Sequence, residues 1–190
     1  MIAAPLLSAF QSEGCKAFLM HWDSLPKVGL MPLSSTFLDR PPIQLMPYAM
    51  LEEVLPEGLK VRFMGTAMAE RWQHDITGRF LGEGLPKEKF DLLYKNGAAV
   101  AMHPCGMRQL GEIRSSTGRA VHFEAVLLPL GVEAGRPPRL IAYSYLLDTL
   151  GRQEHNASFF QSADSVWLDI GAGIPGAGVI ARDRLKPPPE

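Results

Sequence analysis

The sequence is poor in the features that mark several large classes of protein. It contains two cysteines, Cys15 and Cys105, in no Cys-x-x-Cys arrangement, so we expect two buried, reduced thiols rather than a disulfide framework. Lysine and arginine number 19 and aspartate and glutamate 20, and this balance gives no electrostatic reason for a nucleic-acid partner. No uninterrupted apolar run approaches the length that spans a bilayer. The sequence therefore predicts neither a nucleic-acid partner nor a membrane span.

The N-terminal segment lacks the charge of a secretion signal. MIAAPLLSAF is apolar, but no lysine or arginine precedes Lys16, so the positively charged region of a signal peptide is missing. We expect residues 1–14 to form a flexible tail and the protein to be cytoplasmic. With 46% hydrophobic and 21% charged residues, the rest of the chain is able to bury an ordinary core.

Catalytic and metal-binding patterns are also missing from the sequence. The five histidines form no pair at helical i,i+4 spacing, and no Ser/His/Asp or Cys/His arrangement stands out. Gly171–Gly176 matches G-x-G-x-x-G, but only 14 residues follow it, and Pro175 disfavours the helix that a dinucleotide site requires. We therefore predict no catalytic residue and no metal site, and we expect the protein not to be an enzyme.

The most informative stretch is Leu59–Gly78, LKVRFMGTAMAERWQHDITG. Polar and apolar residues alternate at its start, which predicts a strand that stops at Gly65. Thr66 is placed to cap a short helix that ends at Trp72. A turn with two oxygen-bearing side chains around one residue then precedes a glycine. The motif residues of this stretch are Gly65, Thr66, Asp75, Thr77 and Gly78.

Regular elements are predicted on both sides of this stretch. Ser12-Glu13 begins a helix that runs to about Leu25, and a longer helix follows Pro86 and ends near His103-Pro104. Prolines keep residues 26–47 from forming one regular element. Alternation and turn residues predict five antiparallel strands. These strands are expected at residues 48–54, 59–65, 106–114, 120–130 and 139–147.

A strand, a short helix and an Asp-x-Thr-Gly turn in this order resemble the centre of a PAS domain. Gly65-Thr66 followed by Asp75-Ile76-Thr77-Gly78 is similar to a bacterial single-domain PAS family, although Gln73 stands where that family usually has glycine. The resemblance covers residues 15–150. It implies an α+β fold: a five-stranded antiparallel sheet, short helices on one face and an N-terminal flanking helix. Residues 151–190 are then a Gly/Pro-rich C-terminal extension.

The resemblance implies a stand-alone sensory or protein-interaction module of bacterial signalling, which docks on a separate signalling protein. PAS folds bind small molecules between sheet and helices, so a small apolar ligand is expected there, unless the aromatic residues simply fill the core. One alternative is a sensor for haem, with His103 as ligand, or for another cofactor. A further alternative is an enzyme in the same cavity, which would need a polar cluster that the sequence does not reveal. The aromatic residues expected at the cavity are Phe63, Trp72, Phe80, Tyr94, Phe123, Tyr143 and Tyr145.

The predicted N-terminal helix also suggests a homodimer. Its apolar stripe is wider than a helix beside a small sheet normally buries, and closed two-fold dimers are the commonest assemblies. The same stripe could instead pack on the sheet of its own chain. The stripe consists of Cys15, Phe18, Leu19, Trp22 and Leu25.

Overall fold

A computed structural model describes residues 7–151, 154–155 and 161–176 of the chain. Much of the predicted N-terminal tail and of the C-terminal extension therefore lies outside the described residues. The helix Glu13–Ser24 begins after Ser12, whose side-chain oxygen accepts a hydrogen bond from the Cys15 amide at 3.3 Å, and it stops before Pro26. The helices are α1 (Glu13–Ser24), α2 (Ser34–Asp39), α3 (Thr66–Trp72) and α4 (Lys87–Met102), and a single 3₁₀ turn spans Met46–Tyr48.

An antiparallel sheet of six strands forms the centre of the described fold. Its strands are β3 (Ala49–Leu55), β4 (Gly58–Met64), β5 (Gly106–Arg114), β6 (Ala120–Leu130), β7 (Arg139–Leu146) and β8 (Gln161–Leu168). They lie side by side in the order β4-β3-β7-β6-β5-β8. The five predicted strands are all present, and the predicted α+β class with an antiparallel sheet is confirmed. A sixth strand, β8, comes from the C-terminal extension and pairs with β5 at the edge of the sheet. The short hairpin β1 (Lys27–Val28) and β2 (Met31–Pro32) stands apart.

Both faces of the sheet are covered, so neighbouring residues on a strand belong to different cores. On β7, Leu140 packs in the core beneath α3 and α4, whereas Ile141 and Tyr143 pack in the core beneath α1. On β3, Met50 and Leu51 divide between the two cores in the same way. This follows from the period of two in a strand, which sends successive side chains to opposite faces.

Helix α1 buries its apolar stripe against the sheet of its own chain. Cys15, Phe18, Leu19 and Trp22 are at most 1% exposed, and the Trp22 indole donates a hydrogen bond to the Pro129 carbonyl at 2.9 Å. The stripe is therefore occupied within one chain, and it is not the free dimer surface that the sequence analysis predicted. The structure shows the alternative that the sequence left open, packing on the sheet of the same chain, because the sheet presents a second apolar face that the stripe covers.

A buried carboxylate fixes the start of α1 on the sheet. Glu124, on β6, is fully buried and accepts hydrogen bonds from the backbone amides of Ser12 at 2.6 Å and Gln11 at 3.0 Å. The same carboxylate accepts from Arg108 Nε on β5 at 2.7 Å, and the Arg108 guanidinium lies 5.9 Å from the Phe10 ring centroid. Both the negative charge and the free amides at the helix start are thereby satisfied.

We predict that Glu124→Gln destabilises the protein by about 3–5 kcal/mol, because it removes the buried charged partner of Arg108 and leaves that guanidinium only the exposed Asp164, at 3.7 Å. Urea unfolding followed by circular dichroism measures this loss. The matched control is Glu133→Gln, which removes an exposed carboxylate from a surface ion pair and should cost at most about 1 kcal/mol. Equal losses in the two variants would contradict the assigned role of the buried ion pair.

The motif residues between β4 and α4 shape the backbone. Gly65 lies where an added Cβ would overlap the carbonyl oxygens of Met46 and Pro47. It is also the N-cap of α3, and no side chain caps that helix. The predicted cap at Thr66 is therefore wrong, because the extended backbone of Gly65 already ends the strand and starts the helix. In the turn that follows, the Asp75 carboxylate accepts from the Thr77 amide at 2.8 Å, before Gly78 at φ +86°.

We expect Gly65→Ala to lower the free energy of unfolding by about 1–3 kcal/mol, because the new methyl group meets rigid backbone rather than flexible side chains. Thermal unfolding of Gly65→Ala beside Gly176→Ala tests this, since an added Cβ at Gly176 meets no atom within 4 Å. A Gly65→Ala variant as stable as the Gly176→Ala control would show that this close approach relaxes at little cost.

Candidate ligand-binding cavity

A cavity of about 250 Å³ lies between the sheet and helices α3 and α4. Three small residues of the sheet, Ala125, Ala142 and Ser144, line it where larger side chains would fill the space. Because an engineered cavity of about 150 Å³ holds a benzene molecule, this space accepts a ring with a few further atoms. The apolar walls include Met50, Leu59, Met68, Leu81, Leu93 and Leu127.

Glu52, on β3, brings a carboxyl group to the cavity. The residue is only 2% exposed, and among the described residues its Oε2 atom has no hydrogen-bond partner. Burial away from water disfavours the charged form and raises the pKa of Glu52 to about 8. At neutral pH this side chain is therefore mostly a neutral carboxylic acid, which both donates and accepts hydrogen bonds.

The adjacent Glu53 points to the other face of the sheet, as expected for neighbours on a strand. There it accepts hydrogen bonds from Arg139 Nη2 and Arg62 Nε, each at 2.6 Å. Burial opposes ionisation of this carboxyl, but the two arginines outweigh burial and lower its pKa. One buried glutamate is thus fully paired, whereas Glu52, its neighbour in the sequence, is not.

Arg71, in the last turn of α3, brings a guanidinium group to the same cavity. Its Nη2 donates to the Ser144 hydroxyl at 3.2 Å and lies 2.7 Å from the Met68 sulfur, while its buried Nε has no partner among the described residues. Burial lowers the pKa of Arg71 to about 10, which leaves the group charged at neutral pH. Gln109 and Asn96 also line the cavity.

These side chains form a polar set that the sequence analysis did not foresee. The sequence revealed no polar cluster in the cavity, although a run such as Glu52-Glu53 places one carboxylate on each face of a strand. When both faces of a sheet are covered, one of the two must be buried on the helix side. Together with a short helix that ends Glu-Arg-Trp, this pattern was the available signal for the site.

The predicted aromatic residues divide between the two sides of the sheet. Trp72 and Phe123 line the cavity. Tyr94 is buried in the same core but is not part of the cavity wall, and Phe80 lies near Lys60 at the edge of the sheet. Phe63 and Tyr143 belong to the core beneath α1, on the opposite face. The exposed Tyr145 also points away from the cavity and contacts the Tyr48 ring.

Phe63 and Tyr143 were expected at the cavity from the sequence, and the structure corrects this. A β-bulge at Arg62 interrupts the alternation of β4, because Glu52 pairs with Val61 while Leu51 pairs with Phe63. The extra residue sends Phe63 to the face opposite Val61. Tyr143 follows ordinary alternation: its neighbours Ala142 and Ser144 line the cavity, so its own ring points to α1 and stacks on Phe18.

The remaining candidate side chains lie away from the cavity. His103 follows the end of α4, and its Nε2 lies 3.3 Å from the Gly173 carbonyl oxygen, so it is not positioned to ligate a haem in the cavity. Cys15 and Cys105 are buried free thiols, as predicted, and burial raises the pKa of each to about 12. The described residues contain no group of three or more His, Cys, Asp or Glu side chains that could hold a metal ion. They also include no helix with the length and apolar character of a membrane span.

No protein-family model matches the chain, and no curated protein matches it. The solved structures that are similar to it include a PAS domain from each of two proteins and a receptor dimer. The PAS domain of BvgS from Bordetella pertussis is 16% identical with a TM-score of 0.45, over 59% of this chain and 87% of that one. The PAS domain of an HTR-like protein from Haloarcula marismortui is 14% identical with a TM-score of 0.37, over 58% and 86%. The VqmA dimer of Vibrio cholerae, a LuxR-type receptor, is 12% identical with a TM-score of 0.43, over 66% and 60%.

Two of these three structures are PAS domains, the class that the sequence motifs resemble. At these identities and TM-scores, the similarities assign no ligand, activity or partner to this chain.

The buried carboxyl group should make stability depend on pH. The pKa of Glu52 is about 8 in the folded protein, against an ordinary value of 4.5. The stability that the neutral side chain contributes is therefore fully present below pH 4.5 and is lost as the pH rises to 8. We therefore expect the free energy of unfolding of Glu52→Gln, relative to that of the wild type, to rise by roughly 2–4 kcal/mol between pH 5 and pH 8. Urea unfolding at several pH values measures this difference. A difference that stays constant over this range would contradict the burial argument.

Proposed function

We propose that this domain is a sensory module that binds a small, mainly apolar molecule in the cavity between the sheet and helices α3 and α4. The observation that carries the proposal is an apolar cavity to which Glu52 and Arg71 present buried polar atoms that have no partner among the described residues. Buried polar groups are normally hydrogen-bonded, and a bound molecule would supply the missing partners. The fold class supports a sensory role only in general terms.

In such a module, the occupied cavity would be read by a separate signalling protein, as the resemblance to PAS domains implies. Residues that contact the ligand would need to connect with elements that a partner reaches. Arg71 and Trp72 meet this requirement, because both end α3, a helix of two turns joined to α4 by the long segment that contains Asp75 and Gly78. A change at the cavity would thus act on a short element with limited packing of its own.

Binding of an apolar probe to a filled and an unfilled cavity tests the proposal. We expect propylbenzene to bind the wild type with a Kd below about 1 mM in calorimetric titration and to raise its melting temperature. Ala142→Leu places extra carbon atoms in the cavity and should weaken this binding at least about tenfold. Ala172→Leu, the same substitution at an exposed alanine, is the matched control and should leave binding unchanged.

Failure to bind both of propylbenzene itself and of its derivatives with a terminal carboxylate or hydroxyl would contradict the proposal. Equal binding to the wild type and to Ala142→Leu would contradict it too, because the probe would then occupy another part of the protein.

A further inference from the structure

The register of the sheet places the polar groups of the cavity at its two opposite ends. Gln109, Ala125 and Ser144 pair across β5, β6 and β7, so they form one row on the floor of the cavity. Arg71 joins this row through its hydrogen bond to the Ser144 hydroxyl. The row therefore carries a guanidinium, an amide and a hydroxyl around an alanine that leaves space between them.

Glu52 lies at the other end of the cavity floor. It pairs with Leu140, four residues along β7 from Ser144. At about 3.3 Å per residue, the two positions are roughly 13 Å apart along the strand. The floor between them is apolar and is formed by the paired residues Met50, Ala142 and Leu127.

The opposite charges that Glu52 and Arg71 would carry do not meet. Neither side chain has an ion-pair partner among the described residues, although the ion pairs Glu53–Arg139 and Glu124–Arg108 show how this fold satisfies other buried carboxylates. A molecule that satisfies both ends must therefore be elongated, with an apolar middle and a polar group at each end.

We propose that the ligand is a small hydroxylated carboxylic acid, whose carboxylate binds Arg71 and the Gln109–Ser144 row and whose distal hydroxyl binds Glu52. This inference rests on the proposed function and names the chemical class of its ligand. An unpaired guanidinium recognises a carboxylate by charge-assisted hydrogen bonds, and Gln109 and Ser144 supply further donors beside it.

The Glu52 end favours a neutral hydroxyl over a charged amine. Burial keeps the Glu52 carboxyl largely neutral at pH 7, and a neutral carboxyl group exchanges hydrogen bonds with a hydroxyl without moving a further charge out of water. The middle row offers carbon surface only, which suits a ring or a short alkyl chain. The cavity of about 250 Å³ limits the ligand to approximately one ring with short substituents.

Four probes on one scaffold test the proposal in the wild-type protein. Propylbenzene has neither polar end, 4-propylphenol has only the hydroxyl, 3-phenylpropanoate has only the carboxylate, and 3-(4-hydroxyphenyl)propanoate has both. Calorimetric titration at pH 7 should show that the carboxylate lowers Kd at least about tenfold and the hydroxyl about threefold to tenfold.

Substitutions at the two ends assign each gain to its residue. Arg71→Met should abolish the gain from the carboxylate and keep the gain from the hydroxyl, and Glu52→Leu should do the reverse. Arg62→Met removes an arginine from the opposite face and is the control for long-range charge effects, so it should preserve both gains. Arg71→Lys serves as a second variant with its charge retained, and it should keep part of the carboxylate gain.

The possible failures are distinguishable. If propylbenzene binds in the cavity but neither polar group lowers Kd, the inference about ligand class is overturned and the proposed function stands. If the decreases in Kd from the carboxylate and the hydroxyl persist in Arg71→Met and Glu52→Leu, the inference about ligand class is likewise overturned and the proposed function stands. If none of the four probes binds, both the proposed function and the inference are overturned.

Discussion

The fold depends on one constraint: the sheet buries both of its faces, so each central strand must serve two different cores. Residues Leu140–Ser144 of β7 show the consequence, because they alternate between the cavity side and the α1 side. The α1 side receives large buried residues such as Tyr143. The cavity side receives Ala142 and Ser144, and the missing side-chain volume becomes the cavity. Packing on one face and open space on the other therefore arise from the same strand.

Buried charge is treated differently on the two faces. On the α1 side, Glu53 and Glu124 each meet an arginine at 2.6–2.7 Å, and Glu124 also receives two backbone amides at the start of α1. These carboxylates fix the positions of elements that are distant in sequence. On the cavity side, Glu52 is equally buried and has no such partner for its Oε2 atom. The contrast within one sheet shows that this fold is able to pair its buried carboxylates, so the unpaired Glu52 points to a role other than holding the fold together.

The sequence predicted the features of the fold that depend on short-range patterns of residues. The strands and helices follow from alternation, helical spacing and proline positions, and Gly65 stands where the backbone of Met46 and Pro47 leaves no room for a Cβ. The site was harder to predict, because the face of the sheet to which a side chain points depends on the register of the strands. The bulge at Arg62 moved Phe63 to the other face of the sheet. The polar and apolar pattern of β4 does not predict this extra residue. Strand β8 was missed because QSADSVWL is too polar to show clear alternation, and it forms only by pairing with the exposed edge of β5.

The cost of Glu52 gives the strongest reason to regard the cavity as a binding site. A carboxyl group whose pKa is raised to about 8 weakens the fold at neutral pH, because the unfolded chain would ionise it freely. A leucine there would extend the apolar wall already formed by Leu59 and Leu81 and would remove this cost. The same reasoning applies to Arg71. Its guanidinium contacts a hydroxyl group and a sulfur atom in the cavity, and neither partner carries the negative charge of a carboxylate. Because native proteins are only marginally stable, two buried groups without ion-pair partners among the described residues support the proposal that a ligand pairs them in the bound state.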